Sequence, residues 1–168
     1  DFPPRMSSAV RGKGSIMKRV LLLTQWFEPE LSFKGLPFAK ELSKLGYEVQ
    51  VLTGFPNYPG GKVYKGYKIK LFQKEIIDGI PVFRVPLYPS HDNNVLNRIA
   101  NYTSFALSAV FIGFFGIKRP DIIYAYHPPA TIGFPALFFC SLYRAPLIYD
   151  ILDLWPDTLA TTGIKNNK

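Results

Sequence analysis

The chain predicts an α/β fold: an open, mostly parallel sheet with flanking helices and one β-hairpin. Three observations predict it. Short continuous apolar runs at 20–24, 49–53, 122–125 and 146–152 read as strands buried on both faces. Segments with helical spacing of apolar residues lie between them. Each run also breaks into a loop rich in Pro, aromatic and polar residues: Gln25-Trp26-Phe27-Glu28-Pro29-Glu30, Gly54-Phe55-Pro56-Asn57-Tyr58-Pro59-Gly60-Gly61, Tyr126-His127-Pro128-Pro129 and Asp153-Leu154-Trp155-Pro156-Asp157. In open α/β sheets ligands bind outside the carboxyl ends of the strands. Four such ends therefore predict one composite site.

The elements follow in order. After the strand at 20–24, Leu36, Phe38, Ala39, Leu42 and Leu45 recur at helical spacing with Lys40, Glu41 and Lys44 opposite. Gly46 is placed to end that helix, and 47–53 returns as a strand, completing a right-handed βαβ unit. Runs at 68–77 and 80–87 flank Asp78-Gly79, a strong two-residue hairpin signal, and predict a sheet strand with an edge extension. Turn formers Ser90, Asp92, Asn93 and Asn94 open a long helix over 95–118, and Arg119-Pro120 stops it. A strand at 122–125, a helix at 130–143 and a strand at 146–152 follow, and Asp153 or Pro156 opens a last helix.

Residues 105–117 contain one polar side chain, Ser108, and are too short to cross a bilayer, which takes about 20 residues. A buried helix packed on the sheet is the preferred reading over a membrane-docking one. Exposed Phe111, Phe114 or Phe115 beside a lysine cluster would reverse that preference.

Length and a hydrophobic content of 48% suit one globular domain with a real core. Half of the net charge of +8 sits in the two ends (residues 1–16, Lys165 and Lys168), which removes most support for nucleic-acid binding. Lys62, Lys65, Lys68, Lys70 and Lys74 form a local cluster without an intervening acid. It reads either as a patch for phosphates or an anionic membrane surface, or as a solvated strand face. The single Cys140 rules out an internal disulfide and fits a reducing compartment. Residues 1–16 lack a signal peptide's apolar core. They read as a disordered or vector-derived leader before Met17, with 164–168 as a tail.

No GxGxxG or Walker pattern follows a strand, no GxSxG elbow exists, and no CxxC or His cluster is spaced for a metal. Lys34 and Gly35 stand at a helix entrance, where backbone amides and one cation suit an anionic oxygen; Lys34 reads equally as a solvated side chain. Asn57 and Tyr58 offer directional hydrogen bonds and an aromatic face suited to sugars, or a structural Pro/Gly turn. His127, held by Pro128-Pro129, reads as a ligand to a hydroxyl or an acid/base, or as a partner of loop carbonyls. Asp153, followed by Trp155, ranks first as an active carboxylate, with a plain helix N-cap as its alternative. Asp150 reads as structural by its strand position. Asn101-Tyr102-Thr103 matches the N-glycosylation pattern but lies mid-helix, and is dismissed.

Several stretches resemble the amino-terminal half of family 4 glycosyltransferases of the GT-B fold, and more narrowly the bacterial WbuB-type enzymes of surface-polysaccharide assembly. They are Leu22-Leu23-Thr24-Gln25-Trp26-Phe27-Glu28-Pro29-Glu30, Phe33-Lys34-Gly35-Leu36-Pro37-Phe38-Ala39-Lys40-Glu41-Leu42, Leu52-Thr53-Gly54-Phe55-Pro56-Asn57-Tyr58-Pro59-Gly60-Gly61-Lys62, Val85-Pro86-Leu87-Tyr88-Pro89-Ser90 and Asp153-Leu154-Trp155-Pro156-Asp157. The resemblance covers 17 to about 163. It implies a Rossmann-like acceptor-binding domain over 17–163, one half of a two-domain enzyme. The nucleotide-binding half, with its Glu-x7-Glu motif, is absent from these residues, so this fragment alone is expected to be inactive.

The implied reaction is retaining and metal-independent, with no cofactor. It moves a sugar from a nucleotide donor, expected to be a UDP-linked amino or deoxy sugar, to a lipid-linked saccharide at the inner face of the cytoplasmic membrane. The resemblance also implies that Asp153 and His127 orient the acceptor and that Lys34, Gly35, Asn57, Tyr58 and Trp155 contact substrate. Lys62, Lys65, Lys68 and Lys70 would then meet lipid phosphate. Two departures stand out: Lys34-Gly35 replaces the Gly-Gly of many relatives, and Leu152 replaces a histidine that some carry before the final Asp. The alternative from another class is a non-catalytic sugar- or membrane-binding module; a basic nucleic-acid binder ranks last.

Overall fold

β1 (Arg19–Leu23) is apolar on both faces, and the fold is arranged to cover it. In the computed structural model, which describes residues 17–90 and 94–152, β1 lies between two parallel neighbours. The elements after it are α1 (Leu36–Lys44), β2 (Glu48–Gly54), β3 (Gln73–Ile77), β4 (Ile80–Val85), α2 (Val95–Ser108), α3 (Phe114–Gly116), β5 (Ile122–Tyr126), α4 (Gly133–Tyr143) and β6 (Leu147–Asp150). The sheet order is β3-β4-β2-β1-β5-β6, and only the β3–β4 pair is antiparallel. The α/β open sheet with one hairpin is therefore as the sequence predicts.

Strand alternation divides the core in two. Leu21 and Leu23 face one side, where Phe105, Ala109, Ala136 and Phe139 of the α2–α4 segment cover them with Leu52, Ile123 and Ala125. Leu22 faces the other side, with Val49, Val51, Val82 and Ala39 of α1. Burying each such aliphatic side chain contributes about 1.5–3 kcal/mol. The hairpin turns at Asp78 and Gly79, both at positive φ. β4 joins β2 in parallel while β3 forms the edge.

Three expectations change. Residues 68–72 are not strand; β3 starts at Gln73, so Lys62, Lys65, Lys68 and Lys70 stand exposed on an irregular segment instead of a strand face. The last strand ends at Asp150, two residues before Leu152, because Ile151 and Leu152 find no core to enter and are exposed. The helix over 105–117 packs on the sheet as preferred, but along one side only. The helix continues from α2 through a π-helical turn, Ala109–Gly113, into α3. It packs Phe105, Ala109 and Val110 inward, yet Phe111 is 67% and Phe115 83% exposed. From 105 to 117 it is apolar on both sides apart from Ser108, and the described residues provide no further layer outside it. The expected final helix, with Asp153 and Trp155, lies outside the described residues, as do the leader and the tail.

Arg84 ties the hairpin to the loops above the sheet. Its side chain is fully buried, pairs with Glu75 through Nε at 2.5 Å, and lies over the Tyr67 ring. Nη1 donates to the Gly54 carbonyl at 3.0 Å and Nη2 to the Glu28 carbonyl. Replacing Arg84 leaves the buried Gly54 carbonyl and the half-buried Glu28 carbonyl without these donors. Arg84→Met is expected to lower the unfolding free energy by about 3 kcal/mol, measured by urea titration.

Candidate active site at the strand-order reversal

The chain lays β2 and β4 to one side of β1, then β5 and β6 to the other. The loops leaving β1 and β5 therefore part, opening a crevice at the carboxyl ends of the strands. Its walls are the 24–35 loop and the His127-Pro128-Pro129 turn.

Asp150 holds the centre of this edge. Its carboxylate accepts a 2.6 Å hydrogen bond from the Tyr124 hydroxyl and lies 3.8 Å from Lys34 Nζ. Lys34 in turn lies over the Phe38 ring, 4.8 Å from its centroid. The ion pair is partly exposed, and such pairs contribute about 0–1 kcal/mol; it orients more than it stabilises. Burial, reinforced by the hydrogen bond to Asp150 and its charge, pushes the Tyr124 phenol well above its ordinary value. Burial and the Asp150 charge also raise Tyr126. The His127 amide donates to the Asp150 carbonyl at 3.0 Å, locking the turn onto β6. His127 Nδ1 and the Tyr126 hydroxyl are buried without a hydrogen-bond partner among the described residues. Buried polar atoms are normally paired, and here both are left with unmet hydrogen-bonding capacity.

On the other side of β1, Trp26 and Tyr58 stack with ring centroids 4.4 Å apart, joining the loops after β1 and β2. Glu30 fixes that junction. Its Oε1 accepts the Asn57 and Tyr58 amides, each at 2.6 Å, while Oε2 is buried and unpartnered among the described residues. Burial pushes the Glu30 carboxyl up to about 7, against the lowering effect of the amides and of Arg84. Beneath it, Asn57 Nδ2 donates to the Phe55 carbonyl at 2.9 Å, and Asn57 Oδ1 accepts from Asn101 Nδ2 at 3.3 Å. Asn101 Nδ2 also donates to the Tyr88 carbonyl at 2.6 Å, and Asn101 Oδ1 accepts from Gln25 Nε2 at 2.6 Å. Asn57 and Asn101 are thus interior struts.

The structure brings Lys34 and His127 to the same edge through Asp150, and places Asn57 and Tyr58 across β1 from them. The entrance of α1 is already occupied: both Glu28 oxygens accept the Leu36 amide at 2.8 Å. A Cβ on Gly35 would come within 2.7 Å of Glu28 Oε1. Gly35 thus makes room for the chain's own carboxylate, and the Leu36 amide holds no free capacity for a phosphate. Lys62, Lys65, Lys68 and Lys70 lie on the 61–72 segment and are not part of the crevice's hydrogen-bonded cluster. The sequence reading passes over Glu30, Gln25 and Tyr124. Asn101 had a usable signal: it stands four residues before Phe105, itself four before Ala109, so the helical period puts it on the buried stripe. Among the described residues no cluster of His, Cys, Asp and Glu is arranged to hold a metal ion.

Residues 36–165 match the glycosyl transferase 4-like domain. The chain belongs to that family. The Escherichia coli (strain K12) protein named "Putative colanic acid biosynthesis glycosyl transferase WcaI" is 29% identical over 118 residues, covering 68% of this chain and 27% of that protein. The chain thus spans about a quarter of the length of that curated relative. Among solved structures, the carboxy-terminal domain of a Pyrococcus furiosus hydrogenase overlays with a TM-score of 0.47 at 17% identity, covering 79% of this chain and 90% of that one.

Glu30 yields a pH dependence. Its folded value of about 7 lies above the ordinary 4.5, so the folded state binds the proton more tightly than the unfolded one. The advantage is complete below pH 4.5 and is lost as pH rises through 7, about 3 kcal/mol in all. Glu30→Gln keeps an acceptor for both amides without the charge. Unfolding free energies measured from pH 4.5 to 8 are expected to show the variant gaining on the parent as pH rises.

Proposed function

We propose that this domain binds the acceptor for a retaining sugar transfer from a nucleotide donor, in the assembly of a bacterial surface polysaccharide of the WbuB type. The observation that carries the reading is the convergence of Lys34, Asp150 and His127 where the strand order reverses, in a chain of the glycosyl transferase 4-like family. Support for the polysaccharide context comes from the name of the colanic acid relative and from the WbuB-like stretches of the sequence. The donor is a UDP-linked amino or deoxy sugar and the acceptor a lipid-linked saccharide. The nucleotide is held by a second, carboxy-terminal domain.

In the transfer, the bond from the sugar's anomeric carbon to the donor phosphate breaks and its electron pair leaves with the diphosphate. A bond to an acceptor hydroxyl oxygen forms, and that hydroxyl loses its proton. The described residues serve the acceptor side. The Asp150 carboxylate accepts from sugar hydroxyls, and the half-buried His127 at the crevice wall orients the reacting hydroxyl or takes its proton. Lys34 holds Asp150 and offers a cation to developing negative charge. The Trp26–Tyr58 pair offers an aromatic platform. Asp153 and Trp155, close beyond Asp150 in sequence, act on the same substrate.

Transfer assayed with the whole protein is expected to fall about a hundredfold in kcat/KM for His127→Ala and for Asp153→Ala. Circular dichroism and the melting temperature should stay unchanged. Unaltered turnover in both variants refutes the assignment.

A further inference from the structure

We propose that the outer face of the α2–α3 helix and α4, together with the 62–74 segment, docks on an anionic lipid bilayer. The inner sides of both helices are used: Phe105, Ala109, Ala136 and Phe139 cover the sheet. Their outer sides are apolar too. Leu107, Phe111, Phe115, Phe134, Leu137 and Phe138 face outward, Leu137 at 63% exposure. The helices meet along a groove lined by Ala106, Leu107, Thr131 and Phe134, so the two apolar surfaces are continuous. A second groove of about 370 Å³ runs between Leu71-Phe72 and Phe111, Phe115 and Gly116. That groove joins the helix face to the lysine-bearing segment.

The helix from Val95 to Gly116 is long and apolar enough to cross a membrane, yet only 33% of its most apolar window is buried. It cannot span one while its inner side packs against the sheet and its Asn101 is hydrogen-bonded under the site. A helix whose inner side is held by the sheet and whose outer side is apolar and unpartnered lies in the plane of the interface.

Charge selects the occupant. Residues 62–74, 94–117 and 122–149 contain no Asp or Glu, but they carry Lys62, Lys65, Lys68, Lys70, Lys74, Arg98 and Arg144, while Lys118 beyond the helix pairs with Glu48. The α1 side of the sheet is mixed instead, with Lys40 paired to Asp78 and Lys44 to Glu41. A second copy of the same face would oppose like charges. An anionic bilayer satisfies both features: aromatic and aliphatic side chains enter the headgroup boundary, and the lysines meet its negative potential.

The test is co-sedimentation of the full chain with vesicles of phosphatidylglycerol and phosphatidylcholine, beside vesicles of phosphatidylcholine alone. Binding is expected on the anionic vesicles, weakening as salt rises. Phe111→Ser/Phe115→Ser should cut it at least about tenfold, and Lys68→Gln/Lys70→Gln about fivefold per lysine, with circular dichroism unchanged. Equal binding to neutral vesicles, or no loss in both variants, overturns the proposal. So does a concentration-dependent dimer that Phe111→Ser/Phe115→Ser abolishes while vesicles go unbound; the face would then belong to a second copy. Transfer to a short water-soluble acceptor reads the reaction separately, so failure of docking and failure of the proposed function are distinguishable.

Discussion

A strand with parallel neighbours on both sides and apolar residues on both faces leaves no surface for water, and β1 imposes that condition on everything around it. Leu21 and Leu23 require a cover on one face, and Leu22 requires one on the other. Helices must therefore lie on both sides, and each parallel link must cross over with a helix or hairpin between strands. All the loops that leave β1, β2, β5 and β6 then emerge at one edge. The reversal of strand order beside β1 separates two of them into a crevice without any special residue being needed. Chemistry is added to that edge by what the loops carry.

Those loops pass through the interior, so their backbone groups have to be paired inside the protein. Polar side chains do that work in place of water. The Gln25 carbonyl accepts from Thr53 Oγ1 and the Gly54 amide, Arg84 serves Gly54 and Glu28, and Glu30 serves Asn57 and Tyr58. Asn101, reaching up from α2, closes the set by joining Gln25, Asn57 and Tyr88. Such a network gives the Trp26–Tyr58 platform a fixed position, because shifting one loop breaks hydrogen bonds in another. The same interior placement makes Glu30 titrate far from its ordinary range.

Much of this was legible from residue order alone. Apolar runs marked the strands, Asp78-Gly79 marked the hairpin, and the Pro-rich strand ends marked the crevice. Boundaries were less visible where apolar residues continue past the point at which a core exists. Ile151 and Leu152 extend the β6 pattern, and for that reason Asp153 took the strand-end position that Asp150 holds. Periodicity also reports that a side chain is apolar, not that something covers it; Phe111 and Phe115 read as core although no described layer lies outside them. Buried polar struts were hidden for the opposite reason. Gln25, Glu30 and Asn57 look like loop polarity until the fold folds the loops inward.

The capping of α1 by Glu28 has an evolutionary consequence. The carboxylate reaches the Leu36 amide from eight residues upstream, and it fits only because position 35 has no side chain. A larger residue at 35 would push the carboxylate aside, while loss of the carboxylate would leave the Leu36 amide without its acceptor. Neither substitution is neutral on its own. Descendants of this chain would therefore change the two positions together, and the pair would drift as one unit.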